Sequence, residues 1–337
     1  MKKALIALAV LGLTGGAAVA QSSVTLFGVV DVAARYTRSN GQNLKQLGTD
    51  GLSSSRLGVR GTEDLGGGLK AGFWLESALN ADTGTVDATR FWGRRASVSL
   101  IGEFGEVRLG RGETSSFQHI KSFDAFDGLS MGDVTGVYSL LGSAIDTKKR
   151  SDNMVQYYLP TNIGGVYGSV DVAAGEGVAG KKMQGGRIGF AQGPINVSAA
   201  LEQTTGTGGA KYKVTSFGGS YDFGFIKPML NFSQTKFNAL EQKIVTLGLT
   251  APLGQGIVRA SFTDAKANSA ADLLAGTGDA KLYAIGYVYN VSKRTALYTN
   301  VVEIKNNGLG RFAVAGSPTV TNGQSSSGLD VGVRHAF

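Results

Sequence analysis

The last ten residues, 328–337, alternate between apolar positions and charged or small ones. Because the side chains of a strand point alternately to opposite sides, Leu329 and Phe337 share one mostly apolar face, and Asp330 and Arg334 lie on the other. A strand with one apolar and one polar face suits a wall that separates lipid from water.

The same alternation recurs in about sixteen segments, which are separated by turn-forming residues. The predicted strands are residues 24–36, 54–62, 69–77, 94–101, 106–110, 153–159, 166–173, 187–191, 195–202, 214–221, 225–235, 244–251, 257–263, 282–289, 296–303 and 328–337. Seven short links, at 64–68, 102–105, 160–165, 193–194, 222–224, 252–256 and 290–294, alternate with eight longer links. Short turns at one end and long loops at the other are typical of a transmembrane barrel.

An even number of strands brings both ends of the chain to the same end of the sheet, so that the first and last strands can pair. Lipid requires this closure, because an open edge would leave backbone N–H and C=O groups unpaired at several kcal/mol each. The predicted fold class is therefore all-β, a 16-stranded antiparallel transmembrane β-barrel. A soluble β-sandwich would alternate similarly, but it would not hold so many strands without a linker.

Residues 1–20 have the features of a secretory signal peptide: two lysines, an apolar run at 4–13 and a small-residue cleavage site at 18–20. The apolar run is shorter than the ~20 residues that a membrane-spanning helix needs. We therefore expect one mature domain, residues 21–337. Removal of Lys2 and Lys3 lowers the formal net charge from +8 to +6.

The composition narrows the function classes. The 51 glycines and 5 prolines suit short strands and tight turns better than helices. The chain has no cysteine and two histidines, which removes most zinc and thiol chemistry, and we expect no metal and no cofactor. Lysine and arginine are spread over the strands without a clustered basic footprint, so we expect no nucleic-acid partner.

Five stretches resemble the general porins of Gram-negative β-proteobacteria, closest to the anion-selective trimeric branch. They are SSVTLFG at 22–28, SRLGVRGTEDLG at 55–66, FGEVRLGR at 104–111, SKRTALY at 292–298 and GVRHAF at 332–337. The resemblance implies a homotrimer in the outer membrane, a third long loop folded into the lumen, and a terminal Phe337 that the barrel-assembly machinery recognises. Outer-membrane lipid, lipopolysaccharide, small anions and hydrophilic solutes are the other expected partners.

Residues 112–149 form the longest irregular stretch and correspond to that third loop. A loop longer than about 12–15 residues is usually functional or disordered. Its larger apolar residues are Phe117, Phe123, Phe126, Tyr138 and Leu140. They supply enough apolar surface for the loop to pack inside a barrel, and a mobile external loop is the alternative.

The predicted site is a charged constriction. The loop residues expected to form one side are Asp124, Asp127, Glu113 and Asp133. By alternation and by resemblance, the wall opposite carries Arg56, Arg95 and Arg150, with Arg60 and Arg108 nearby, and Arg94 competes with Arg95 for the second place. Arginine stays charged at any relevant pH, and clustered cations in a narrow, low-dielectric throat concentrate anions.

The predicted function is passive diffusion of small hydrophilic solutes and ions through an anion-selective, water-filled channel. A substrate-specific channel for phosphate or organic anions is the main alternative, and a structural or adhesive barrel is another. An enzyme is disfavoured because nucleophilic catalysis needs an oriented base, and His119 and His335 are the only histidines.

Overall fold

The computed structural model describes residues 23–337. The predicted signal peptide, 1–20, lies outside these residues. The strands are β1 (Ser23–Ser39), β2 (Gln42–Thr49), β3 (Arg56–Gly66), β4 (Leu69–Asn80), β5 (Thr85–Val86), β6 (Arg95–Gly102), β7 (Gly105–Glu113), β8 (Arg150–Tyr158), β9 (Val166–Ala173), β10 (Lys182–Gln192), β11 (Ile195–Thr205), β12 (Lys211–Tyr221), β13 (Lys227–Phe237), β14 (Leu240–Leu253), β15 (Gly256–Ala267), β16 (Ala280–Asn290), β17 (Thr295–Asn306) and β18 (Ser326–Ala336). Between these strands, residues 23–337 also contain one α-helix, α1 (Ser115–Ser122), and 3-10 turns at Val134–Val137, Thr207–Gly209 and Ala271–Leu273.

These strands form one closed antiparallel barrel with sixteen strand positions around its wall, as the alternation predicts. β2 and β3 pair with the two halves of β1, so together they count as one strand of the wall that is interrupted in the middle. β5 has only two residues and pairs with the end of β4. It is not counted as a strand of the barrel wall. β1 and β18 close the ring through eleven paired positions, from Val29 opposite Ala336 to Ser39 opposite Ser326.

The chain terminus completes the seam. The backbone N–H of Phe337 donates to the carbonyl of Gly28, and the N–H of Gly28 donates to the carbonyl of Phe337, both at 3.0 Å. The phenyl ring of Phe337 occupies the space beside the Gly28 α-carbon, where a side chain on that residue would collide with it. The last residue therefore seals the sheet at the short-turn end.

Two links expected to be long are instead tight turns, at 40–41 and 238–239. Asn40 and Asn238 have φ of 50° and 55°, the left-handed conformation that asparagine tolerates in two-residue hairpins. The predicted loop after the first strand is largely β2. Its sequence, Gln-Asn-Leu-Lys-Gln-Leu-Gly-Thr, has no apolar alternation, which is why it resembles a loop.

The barrel wall is apolar outside and polar inside. On β1, Val24 and Leu26 are 68% and 62% exposed, whereas Asp31 is fully buried on the inner face. Leu201 on β11 is likewise exposed, and its neighbour Glu202 is buried. Such an outer band suits lipid contact. Within residues 23–337, no helix has the length and hydropathy of a membrane-spanning segment.

The segment between β7 and β8, 114–149, folds into the lumen. We call it the inner loop. Its Phe126 and Val137 are fully buried against Leu282 and other inward side chains of β13–β17. The core of this protein therefore lies inside the barrel, between the inner loop and one half of the wall.

Candidate functional site: a cationic chamber in the lumen

The inner loop begins with α1, whose first turn is fixed to the wall by carboxylates. The Thr114 side chain caps the helix by accepting from the N–H of Phe117 at 3.3 Å. The N–H of Ser115 donates to Asp171 Oδ2 on β9 at 2.8 Å, and the Ser116 hydroxyl donates to Glu202 on β11. Negative groups at a helix N-terminus are stabilised by its unpaired N–H groups and its dipole.

His119 fixes the next turn of α1. Its Nδ1 lies 2.6 Å from Ser198 Oγ and its Nε2 lies 3.0 Å from Asn231 Oδ1, on β11 and β13. Burial lowers the pKa of His119 from its usual 6.5 to about 4, so the imidazole is neutral at pH 7. A neutral ring can donate to Asn231 and accept from Ser198, and this satisfies both nitrogens.

Two inward-facing glycines, Gly218 and Gly328, make room for the inner loop, and a third, Gly248, lies in contact with it. The ring of Phe123 lies against Gly218, Ala125 lies against Gly248, and the side chain of Met131 lies against Gly328. A Cβ at Gly218 or Gly328 would overlap the loop side chain, and at Gly248 it would lie 3.5 Å from the Ala125 nitrogen. The inner wall of β12, β14 and β18 is therefore shaped to receive this loop.

Asp124 organises the loop from within. Its carboxylate accepts from the N–H groups of Phe126 and Gly128, both at 2.9 Å, and from Val134 at 3.4 Å. Burial, reinforced by repulsion from Asp133, raises the pKa of Asp124 to about 7. Asp133 caps the following 3-10 turn through Thr135 and pairs with Lys149. Both carboxylates therefore stabilise the loop conformation.

Residues 128–132 of the inner loop spell Gly-Leu-Ser-Met-Gly, the letter pattern of a serine-hydrolase nucleophile elbow. That elbow places its serine between a strand and a helix, whereas Ser130 lies in an irregular turn. Ser130 Oγ accepts from the N–H of Gly132 at 3.3 Å, and the two histidines of the chain are bonded to other side chains. The Ser130 hydroxyl therefore stabilises the turn, and neither histidine is bonded to it as a base.

The inner loop covers the wall of β9–β18 and leaves a chamber of about 730 Å³ against the opposite wall. Its ionised lining consists of Arg56, Arg60, Arg94, Arg95, Arg108, Arg150, Arg187, Lys121, Glu76 and Glu113. Eight cations against two carboxylates give the chamber lining a formal charge of +6. Phe27, Trp74, Tyr158, Gln118, Ser53, Ser122 and Leu129 complete the lining.

Two carboxylates hold the cations nearest the long-loop end. Glu76 on β4 accepts from Arg94 Nε at 2.6 Å and lies 3.7 Å from Arg56 Nε. Glu113, at the end of β7, lies 3.1 Å from an Arg150 nitrogen and 3.0 Å from Lys121 Nζ. Each carboxylate is shared by two cations. Each of these two clusters, one around Glu76 and one around Glu113, therefore keeps a net positive charge.

Aromatic rings support three further cations of the chamber. The guanidinium groups of Arg60 and Arg95 lie 4.9 Å and 4.5 Å from the Trp74 ring centre. Arg108 lies 4.3 Å from the Tyr158 ring centre and binds both oxygens of Glu106. Cation–π contacts hold a guanidinium group flat without neutralising its charge.

The lumen brings together all six arginines that the sequence nominates, Arg56, Arg60, Arg94, Arg95, Arg108 and Arg150. Arg94 and Arg95 do not compete, since both line the chamber. Arg95 lies in β6 and points inward by alternation, whereas Arg94 precedes the strand and reaches Glu76 from the loop.

The four acids predicted from the sequence do not lie together in one site. Glu113 lines the chamber, but Asp124, Asp127 and Asp133 do not. Asp124 is buried in the loop and Asp133 caps a turn, as described above. Asp127 is exposed on a left-handed turn, with φ of 56°, and the cations that act on its carboxylate electrostatically are Arg259, Lys121 and Lys227. The second carboxylate of the chamber is instead Glu76.

Sequence reasoning did not identify Glu76, Trp74 or Lys121 as chamber residues. A signal existed for the first two, because Trp74 and Glu76 share the inner face of β4 and pair directly with Arg60 and Arg95 on the neighbouring strands. Lys121 carries no such signal, because its position depends on how the inner loop folds.

A closed barrel with an apolar exterior, an inward-folded loop and a polar lumen defines a membrane channel of the porin class. The chain belongs to the Gram-negative porin family, whose model matches residues 7–309. It is an outer-membrane protein that forms a water-filled diffusion channel.

Two relatives can be aligned with this chain over its full length. The chain is 40% identical to outer membrane porin protein 32 of Delftia acidovorans over 361 residues, covering 100% of both chains. It is 30% identical to an outer membrane porin protein of Bordetella pertussis over 406 residues, again covering 100% of both. Among solved structures, it is similar to the anion-selective porin from Comamonas acidovorans, with a TM-score of 0.82 and 36% identity over 94% of this chain and 100% of that one.

Proposed function

We propose that this porin passes small anions in preference to cations, and that the cationic chamber is its selectivity filter. The observation that supports this proposal is the formal charge of +6 on the chamber lining. Cations lining a narrow lumen with low-dielectric walls raise the local concentration of anions and exclude cations. The similarity to an anion-selective porin supports the same preference.

The arrangement favours passage over retention. Arg56, Arg94 and Arg150 share their two carboxylates, and Arg60 and Arg95 are held on Trp74. An anion therefore meets a series of partly compensated guanidinium groups, each of which binds it weakly. Weak contacts at several sites allow a solute to leave as readily as it enters.

Assembly follows from the family resemblance. We infer a homotrimer, and we infer that the barrel-assembly machinery recognises the terminal Phe337. The ring of Phe337 is 46% exposed at the short-turn end, which is consistent with such recognition.

The test is the reversal potential of the purified protein in a planar bilayer under a salt gradient. The wild type should show anion preference, and replacing Arg56, Arg95 and Arg150 together with Ser should move the permeability ratio towards one. A matched control replaces three exposed lysines of the outer face, Lys243, Lys281 and Lys305, with Gln and should leave the ratio unchanged. Cation preference in the wild type would contradict the proposal.

Concentration dependence separates this proposal from a substrate-specific anion channel. A general porin conducts in near proportion to salt, whereas a specific site saturates, or is blocked, at low concentrations of its solute. Conductance measured from dilute to concentrated chloride and phosphate therefore decides between the two.

A further inference from the structure

Two hydrogen-bond donors at the edge of the chamber have no acceptor among residues 23–337. They are the hydroxyl of Tyr158 on β8 and the guanidinium group of Arg187 on β10. The strand register places both in one row of the inner face, because each lies opposite Ser169 of β9. Two strand spacings separate their α-carbons by roughly 9–10 Å. The small Ser169 between them is bonded through its hydroxyl to Ser115, at the start of α1.

The hydroxyl of Tyr158 is left to act as a donor. Its oxygen accepts from Arg108 Nη1 at 2.8 Å and from Gln118 Nε2 of α1 at 3.0 Å. Arginine can only donate, and Gln118 Nε2 also donates to the Glu113 carbonyl at 3.0 Å, which identifies it as the amide nitrogen. These two bonds use the accepting capacity of the phenol oxygen, so its proton is free for a further partner.

Arg187 is likewise without an acceptor. Its Nε is buried and has no hydrogen-bond partner, and no carboxylate oxygen in the described part of the chain lies within 4.0 Å of its nitrogens. The guanidinium carbon lies 5.5 Å from the centre of the Tyr167 ring, a contact that holds the group without neutralising it. The Tyr167 hydroxyl donates to Asn196 at 2.7 Å, which fixes the ring.

Both donors face the lumen. A second cavity, of about 450 Å³, lies beside the short turns at 102–105 and 159–162. Tyr158 and Arg187 line this cavity and also the cationic chamber, so they lie where the two spaces meet. A solute in the lumen can therefore reach both groups.

The two inner-face carboxylates beside this junction already have partners. Glu106, which lies opposite Tyr158 in the sheet, binds Arg108 through both oxygens. Asp171, two residues from Ser169 on β9, accepts from the N–H of Ser115 at 2.8 Å. The free donors of the junction are therefore available to an anion from solution.

We infer that Tyr158 and Arg187 form a subsite that selects small oxyanions, such as carboxylates, over halides. This subsite rests on the proposed anion preference of the chamber and adds a choice among anions. A carboxylate presents two acceptor oxygens in fixed directions, so one oxygen can accept from Tyr158 while the other accepts from Arg187. A halide is a single acceptor atom. Donation from Arg108 to the phenol oxygen polarises the Tyr158 hydroxyl and strengthens its own donation.

The test is a solution NMR titration of the purified, folded protein, isotope-labelled at the Cζ carbon of tyrosine. The shift of this carbon responds to the hydrogen bond that the hydroxyl makes, and the Tyr158 signal is the one that Tyr158→Phe removes. We expect sodium formate to shift the Tyr158 signal at about fivefold lower concentration than sodium chloride, the factor that one net hydrogen bond provides. Both salts are monovalent, so they screen the chamber equally at equal concentration.

Two variants separate direct donation from a structural role. Arg187→Met removes one of the two donors without touching the partners of Tyr158, and it should abolish the preference for formate. Gln118→Met removes the contact of α1 with the Tyr158 oxygen but leaves the hydroxyl proton, and it should retain the preference. Equal half-saturation by formate and chloride in the wild type, a preference retained in Arg187→Met, or a preference lost in Gln118→Met would each overturn the inference.

The reversal potential separates failure of this subsite from failure of the proposed function. A wild type that prefers anions but binds formate and chloride alike would keep the filter and lose only the subsite. Cation preference in the wild type would instead contradict the filter, and the titration would still decide whether Tyr158 and Arg187 bind an oxyanion.

Discussion

The phenyl ring of Phe123 lies against the α-carbon of Gly218, in the space that a side chain at that position would occupy. Phe123 is fully buried and belongs to the inner loop, whereas Gly218 belongs to the barrel wall. The width of the lumen therefore depends on a glycine that lines no part of the cationic chamber.

Replacing Gly218 with Leu should displace the inner loop and widen the pore. Overpacking of a filled site costs about 1–3 kcal/mol, and the loop can relieve it by leaving the wall. We expect higher single-channel conductance and entry of larger sugars in liposome-swelling assays. Gly219→Leu is the control, because Gly219 faces outward and a Cβ there would meet its nearest neighbour at an ordinary 3.4 Å. Equal effects of both substitutions would contradict this account.

Removing the Glu113 carboxylate should strengthen anion preference. Glu113→Gln frees Arg150 and Lys121 from their shared partner and raises the formal charge of the chamber lining from +6 to +7. A unit charge about 10 Å away contributes roughly 0.4 kcal/mol in a water-like dielectric, which favours an anion about twofold and disfavours a cation about twofold, so the anion-to-cation permeability ratio should rise about fourfold.

Asp127→Asn provides the comparison for Glu113→Gln. It removes the same charge from a residue of the inner loop that does not line the chamber. The reversal potential should change less than for Glu113→Gln. If Asp127→Asn had the larger effect, the constriction would lie at Asp127 in the inner loop and not at Glu113 in the cationic chamber.

Acidification should loosen α1 through His119. Its pKa is lowered by burial to about 4, so below pH 6.5 the released ring gains a proton that the docked ring lacks. The docked state therefore has its full stability above pH 6.5 and loses roughly 1.4 kcal/mol per pH unit between 6.5 and 4. Hydrogen-exchange protection of α1 at pH 7 and pH 5 measures this loss.

His119→Gln isolates the imidazole in that experiment. Asp124, with its pKa raised to about 7, acts in the opposite direction, because protonation below pH 7 favours its buried state. The difference in protection between the wild type and His119→Gln removes the contribution of Asp124. The same loss of protection in both proteins would exclude His119 as its cause.

Asp31→Ala should destabilise the barrel near its seam. Asp31 is fully buried and accepts from the N–H groups of Gly51, Leu52 and Ser53 and from the Tyr298 hydroxyl. Leaving several buried donors unpaired costs on the order of 3 kcal/mol. Heat-induced unfolding followed by gel mobility should show a lower transition temperature. Leu26→Ala, at a lipid-exposed position of the same strand, should lower it by less.

Much of this architecture could be predicted from local sequence. Alternation at Val24 and Leu26 against Asp31 fixes the two faces of β1, and the same rule places Arg56, Arg60 and Arg95 in the lumen. Strand number and closure follow, because lipid tolerates no open edge.

The acidic side of the site could not be predicted in this way, because it depends on irregular backbone. Asp124 resembles a pore carboxylate in sequence, yet it accepts three N–H groups of its own loop. A short carboxylate side chain can satisfy local backbone donors, and this competes with any outward role. Glu76 follows the strand rule, but only the register to Arg95 reveals its role.

The hydrogen bonds between Gly28 and Phe337 join the first strand to the final residue. Until β18 is in place, the edge of β1 has no partner on that side. A chain cut short by even one strand would keep two unpaired edges and could not become watertight. Arrival of β18 at the edge of β1 is thus a physical precondition for a barrel that lipid can accept.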